Sequence, residues 1–326
     1  MPARISGLIL TALCASLAVP FSVIAQTFPS KPVRMVVPSP AGGGIDIMAR
    51  QFAARFSPQW AQPVVVENRP GSSTIVGTEI VAKAPADGHT LLLTTDASMS
   101  INPHLFAKLP YDPARDFAPV TMLVLLQQML LATPSLGVST VADLVKLAKT
   151  RPGSINYASY GSGSQPHLAG EMLKSAAGID LVHIPYKGIS LAVPAVAAGE
   201  VQLTFGGILT SMSFIKSGRV KPLAIGGTKR SPLLPDVPTF AEVGFPEVET
   251  HAWFALFVPA ATPRPVVERI NRDAVAIVND PEYRQKELVD KGYDPVGNRP
   301  EEFAAFMKRD LEGRGRAVKL SGARAE

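Results

Sequence analysis

Cysteine is all but missing from this chain. The single one, Cys14, lies in an apolar N-terminal run, so no intrachain disulfide can form and stability must come from core burial. Reactive motifs are missing too. There is no G-x-S-x-G elbow and no H-E-x-x-H pair, and the five histidines, at 89, 104, 167, 183 and 251, have no ligand-like spacing. Ser213 and Lys216 match S-x-x-K, but without the partner motifs of that chemistry. Neither a P-loop nor a G-x-G-x-x-G fingerprint occurs, which argues against nucleotides. No catalytic residue, metal site or cofactor is expected. Aromatic residues are scarce at 7% and the net charge of +5 is scattered, so no nucleic-acid stripe is visible. Beyond the N-terminus no apolar run approaches the ~18 residues that a membrane span needs.

The N-terminus has its own signature. Arg4 precedes the apolar stretch from Ile5 to Ala18, and Val23, Ile24 and Ala25 are compact residues at the positions that a signal peptidase reads. Pro20 and Ser22 interrupt the run before it reaches a full span, and Leu13 ahead of Cys14 does not fit a lipoprotein signal. Residues 1–25 are expected to be a signal peptide cleaved before Gln26, with export to the periplasm of a Gram-negative cell.

Downstream, strand-like runs alternate with glycine- or serine-rich loops and helical patterns. Val33–Val37 leads into "PSPAGGGID", after which Ala49, Phe52, Ala53 and Phe56 recur at helical spacing. Val64–Val66 leads into "ENRPGSSTIVG" and a helical run from Ile75 to Ala84; "DGHTLLLTT" is a turn and a buried strand ending at Asp96. "INYAS" leads into "YGSGSQPHLAGEMLKSAAG", with Leu168, Met172, Leu173 and Ala176 marking a helix closed by Gly178. "DLVHIPY" and "VQLTF" read as two more strands. This alternation predicts an α/β fold with mainly parallel sheets. The three Gly/Ser loops suggest two similar lobes facing each other. Phe117–Ser135 is long enough to cross between lobes and Thr250–Pro263 to cross back; each is equally readable as an ordinary core strand. The expected division is lobe 1 from 26–127 plus 250–326 and lobe 2 from 128–249. Towards the C-terminus Val267, Ile270, Ala274, Ile277 and Val278 share a helix face, Asp280 and Pro281 start a turn that Gly292 stops, and "EGRGRAV" predicts fraying of the last helix.

Helix N-termini behind small loops are ready anion sites, because unpaired N–H groups and the helix dipole favour negative charge. One glycine loop usually just turns the chain. Three in one exported chain point to capture of a small anion, with each hydrogen bond to a carboxylate worth about 1.5–3 kcal/mol. Asp46 reads as a helix cap rather than an acid or base.

At this point a family pattern is visible. "PSKPVRMVVPSPAGGGIDIMAR", "QPVVVENRPG", "ADGHTLLL", "INPHLFAKLPYDPARDFAPV", "HLAGE", "VHIPYKG", "KRSPLLPDVPTFAEVGFP" and "FVPAATPRPVV" run in order along almost the whole chain after residue 25. They resemble the Bug-type substrate-binding proteins of tripartite tricarboxylate transporters. The resemblance implies a type II-like periplasmic-binding-protein fold, two α/β lobes with a ligand cleft between them. It also implies a small carboxylate ligand (a di- or tricarboxylate, an acidic amino acid or an aromatic acid), small and large integral-membrane permease subunits as partners, and a monomer.

By position it implies a first-lobe site of Ser39, Gly42, Gly43, Gly44, Ile45 and Asp46, with Ser72 and Ser73, then Thr95 and Asp96. The second-lobe site would be Ser159, Tyr160, Ser162 and Ser164, with His167 and the loop at Gly206. His167 reads equally as a cap or core histidine and as a ligand contact. Departures from the family pattern include Ile45 for a hydroxyl residue, Tyr160 for a serine, Gly206–Gly207 for an Asp-Asn pair and the missing tryptophan of the last helix. The glycine pair disfavours ligands with an amino group. Ile45 and Tyr160 would favour aromatic acids if they face the ligand. Carboxylate sensing for a signalling partner is the alternative to transport, and an exported hydrolase is a more distant one.

Overall fold

A computed structural model describes residues 28–324 except 72, 187, 188, 228 and 249. The expected signal peptide and Ser72 therefore lie outside the described residues. The chain begins with β1 (Val33–Val37), α1 (Gly44–Trp60), β2 (Val64–Asn68), α2 (Ile75–Ala82) and β3 (Thr90–Thr95). Two short helices, α3 (Asn102–Leu105) and α4 (Pro113–Asp116), precede the long β4 (Phe117–Ala132). Then come α5 (Val141–Thr150), β5 (Asn156–Ser159), α6 (Gln165–Ala177), β6 (Val182–Pro185), α7 (Ile189–Ala198), β7 (Leu203–Gly207), α8 (Ile208–Lys216) and β8 (Lys221–Ile225). The chain closes with β9 (His251–Pro259), α9 (Arg264–Asn279), α10 (Pro281–Tyr283), β10 (Tyr293–Pro295) and α11 (Pro300–Ser321).

The strands run in the order β2-β1-β3-β9-β4-β7-β5-β6, with β8 and β10 also paired to β4. β4 joins two halves. Phe117 to Gln127 pair with β9, whereas Gln128 to Ala132 pair with β7, and Met129 to Ala132 also with β8. Each half has strands that are parallel where helices cross over, β2-β1-β3 on one side and β6-β5-β7 on the other, as βαβ units require. The two halves are the two α/β lobes of a periplasmic-binding-protein fold.

Apolar periodicity explains the layers. In α1, Ile45, Met48, Ala49, Phe52, Ala53, Phe56 and Trp60 form one buried stripe against β1 and α9. Val267, Ile270, Ala274, Ile277 and Val278 supply the facing stripe of α9. In lobe 2, Tyr157 of β5 lies fully buried against α6, where a Cβ on Gly170 would come within 2.3 Å of the ring. The Tyr157 hydroxyl is tied to Glu171 at 2.7 Å, so the ring cannot swing away. Gly170→Ala is therefore expected to cost about 2–3 kcal/mol through overpacking. Urea denaturation checks this, and a loss under about 0.5 kcal/mol would contradict it.

The last helix departs from the expectation of fraying. α11 is continuous over 22 residues. Its Ala317 and Val318 are buried with Ile101 and with Leu168 of α6, which ties the helix to both lobes. Gly315 lets the His104 ring approach closely, since a Cβ there would lie 2.7 Å from it. Tertiary packing outweighs the low helix propensity of glycine.

Candidate functional site

The cleft between the lobes contains two chambers of about 560 and 680 Å³ that share the wall of Leu126, Gly207 and Thr210. The first chamber is lined from lobe 1 by Ser73, Thr95, Asp96 and Asn102, and from lobe 2 by Tyr160, Ser162, Ser164 and Gln165. Helix N-termini open onto it from lobe 2: α6 begins at Gln165 and α8 is capped at Gly207. Ser73 and Thr74, just ahead of α2, have φ of 53° and 78°, a costly backbone for non-glycine residues. Asn102 holds that turn by donating to the Ser73 carbonyl at 2.7 Å, and Ser98 donates to the Thr74 hydroxyl at 2.8 Å. Apolar side chains, among them Ile101, Leu105 and Phe254, complete the walls.

Of the sequence-derived candidates, Ser73, Thr95, Asp96, Tyr160, Ser162 and Ser164 line the first chamber and Gly44 lines the second. Ser39, Gly42, Gly43, Ile45, Asp46, Ser159, His167 and Gly206 line neither. The reasons are local. The glycine loop supplies its own anion: the Gly42 N–H donates to Asp46 at 2.8 Å, and Asn68 and Arg50 also donate to that carboxylate. Burial opposes ionisation of Asp46, but these donors outweigh it and hold its pKa below the usual range. The N-cap of α1 is Gly43, so Asp46 acts from inside the first turn rather than as the cap residue. Ser39 lends its carbonyl to Asn68.

The second-lobe loop is likewise held from within. Ser159 is fully buried; the Gly161 N–H donates to its hydroxyl at 3.1 Å, and His183 Nε2 lies 2.7 Å from it. His167 accepts from the Gly163 N–H at 2.9 Å and stacks on His183 at 3.9 Å, so it is buried and supports its own loop. Burial depresses the pKa of both rings, that of His183 to about 4, so the stack is neutral at pH 7. Gly206 packs under Ser211, where a Cβ would meet the hydroxyl at 2.8 Å. Ile45 is buried in the lobe 1 core, and the neighbouring Ile47, 47% exposed, faces the second chamber with Leu209 opposite.

Other residues at the cleft carried weaker signals. Gln165 is 3% exposed, lines the first chamber, and neither of its side-chain amide atoms has a hydrogen-bond partner among the described residues. Gln128, at the crossing between sheets, donates to the Tyr160 hydroxyl at 3.2 Å, while its buried amide oxygen has no partner among the described residues. Burial raises the Tyr160 pKa to about 12, so the phenol stays protonated. Behind Asp96 stands Arg314 of α11, 2% exposed. An amide at the first turn of a helix behind a Gly/Ser loop is the signal that points to Gln165. Among the described residues no cluster of acids, histidines or cysteines is placed to hold a metal.

Two α/β lobes facing across a cleft, with helix N-termini on its walls, define a solute-binding protein of the periplasmic type. Residues 48–322 match the model of the tripartite tricarboxylate transporter family receptor. Protein BugT of Bordetella pertussis is 34% identical over 315 residues, covering 95% of this chain and 94% of BugT. Among solved structures, R. palustris Rpa4515 with adipate is 33% identical with a TM-score of 0.77, over 91% of this chain and 99% of that one. MatC from Rhodopseudomonas palustris with bound malate is 29% identical with a TM-score of 0.73, over 89% of this chain and all of MatC (100%). The chain belongs to the tripartite tricarboxylate transporter receptor family, and it is a binding receptor rather than an enzyme.

Proposed function

We propose that this receptor is exported to the periplasm through its N-terminal segment, captures a small carboxylate without an amino group, and delivers it to small and large integral-membrane permease subunits. The observation that carries the reading is the first chamber. Buried Gln165 amide groups without a partner among the described residues, Ser73 at a strained turn and the start of α6 converge on a space that mixes polar residues such as Thr95, Asp96 and Asn102 with the apolar Ile101, Leu105, Leu126 and Phe254. A carboxylate satisfies the donors, and an apolar body suits Leu126 and Phe254, with Ile47 and Leu209 in the second chamber. The adipate of one solved relative has carboxylates on an apolar chain, and the malate of another is a shorter, hydroxylated dicarboxylate that likewise lacks an amino group. Gly207 supplies no carboxylate to receive an ammonium group, and the carboxyl that does line the chamber, Asp96, already faces the buried guanidinium of Arg314 at 3.4 Å.

A thermal-shift screen over adipate, malate, succinate, citrate, benzoate, terephthalate, aspartate and glutamate tests this. Ligand at 100 times its dissociation constant adds about 2.7 kcal/mol of stability. Amino-free acids are expected to shift the melt most; glutamate displacing all of them would overturn the ligand class. Ser73→Ala removes one donor to a charged group and is expected to weaken binding about 10- to 100-fold without unfolding. Unchanged affinity in that variant, measured by calorimetry, would move the carboxylate away from the start of α2.

A further inference from the structure

We propose that Asp96 recognises the bound carboxylate through its own proton, so that ligand capture takes up one proton from solution. This rests on the carboxylate reading above. Asp96 follows β3, lines the first chamber and is 4% exposed. The groups facing it come from three elements. Arg314 and Asp310 come from α11, His251 from β9 and Tyr160 from the second-lobe loop. Arg314 is shared: it stands 3.4 Å from Asp96 Oδ2 and 3.4 Å from Asp310 Oδ1, and its Nη2 donates to the His251 carbonyl. The two acids are unequally served. Trp253 Nε1 donates to Asp310 Oδ2 at 3.0 Å and His251 Nε2 stands 3.4 Å from Asp310 Oδ1; among the described residues neither Asp310 Oδ1 nor Asp96 Oδ2 has a hydrogen-bond partner, so the difference between the acids is the indole donor and the close imidazole on the Asp310 side.

The proton of this cluster therefore belongs on Asp96. Burial opposes ionisation of Asp310, but Arg314 and His251 outweigh it and keep that carboxyl well below the usual range. For Asp96 burial dominates, Arg314 offsets part of it, Asp310 adds to it, and the pKa rises to about 6. A ligand carboxylate in the same chamber brings a further negative charge. Two ionised carboxylates sharing a dry site repel, and one of them is driven to bind a proton. Protonated Asp96 converts that repulsion into a charge-assisted O–H···O⁻ hydrogen bond.

The sign follows from linkage. Binding raises the Asp96 pKa above its value in the free protein. Affinity is then full below about pH 6 and falls as pH rises above the free-protein value, by about tenfold per unit until the complex itself titrates.

Calorimetric titration tests this with the strongest binder among adipate, malate and benzoate. Above about pH 6.5 these probes are essentially fully ionised. Titrations in phosphate and in Tris, which differ in ionisation enthalpy, count the protons taken up. The parent is expected to take up close to one proton at pH 7.5 and to weaken about tenfold between pH 7 and 8. Asp96→Asn keeps a neutral donor and is expected to show no uptake, no pH slope, and tighter binding than the parent at pH 8. Binding that is flat in pH with no buffer dependence overturns the proposal while leaving the carboxylate reading intact. So does an Asp96→Asn variant with the parent's slope. Aspartate binding that tightens with pH would show Asp96 acting as an anion instead. If none of the probes binds between pH 5.5 and 8.5, the carboxylate reading falls and this proposal with it. If Asp96→Asn does not fold, the two-buffer comparison on the parent decides alone.

Discussion

Gly207→Leu is expected to abolish ligand binding while leaving the fold intact. Gly207 belongs to the wall shared by both chambers. Its backbone, φ −66° and ψ 153°, is open to any residue, and a Cβ there would meet nothing nearer than Thr210 Oγ1 at 3.5 Å. A leucine side chain then extends into the cleft that the ligand occupies. The stability loss is limited to about 1 kcal/mol, the cost of a poor N-cap for α8. The affinity loss should exceed 100-fold, or about 2.7 kcal/mol. Calorimetry and urea melts on the same sample separate the two effects. Affinity within threefold of the parent would place the ligand outside this cleft.

The second large effect is on stability. Arg314 is the guanidinium within 3.4 Å of both Asp96 and Asp310, all three being buried. Arg314→Leu leaves two carboxyls facing each other without that charge, and breaking a buried ion pair in this way costs about 3–5 kcal/mol. The loss should depend on pH. In the parent, the depressed pKa of Asp310 contributes stability that is present above its unfolded value, about 3.9, and is lost as pH falls below it. Without Arg314 both acids titrate higher and can neutralise themselves, so the gap between parent and variant should narrow as pH falls from 7.5 to 5. Urea melts at the two pH values check this. A loss under about 1 kcal/mol at pH 7.5, or a gap that widens in acid, would contradict it. Adding Asp310→Asn should restore part of the loss, since it removes one of the stranded charges.

Much of this architecture is legible along the chain because it is local. The strand–loop–helix units at β1 and α1 and at β5 and α6 have apolar spacing that changes period where the loop lies. The face of α9 and the Asp280 and Gly292 punctuation are equally local. The site is less legible because small geometric steps decide it. Two residues along a helix turn a side chain to the opposite face, so Ile45 enters the core while Ile47 faces the cleft. Ser159, His167 and Asp46 carry the right chemistry for a ligand, but their own loops use it first. The sequence also separates groups that the fold joins. Asp96 follows a strand of lobe 1, and Arg314 sits in a glycine-containing stretch that local propensity marks for fraying. Long-range packing brings α11 and its arginine behind the cleft: Phe303 against Trp253 and Phe257 on the lobe 1 side, and Ala317 and Val318 with Leu168 on the other.

The most direct test is a crystal structure of this protein soaked with the strongest binder of the carboxylate panel. One carboxylate is expected in the first chamber, within hydrogen-bond distance of Ser73 or Gln165 and next to Asp96, with the body of the ligand against Leu126 and Phe254. A ligand bound outside the cleft, or one whose carboxylate points away from these residues, would contradict it.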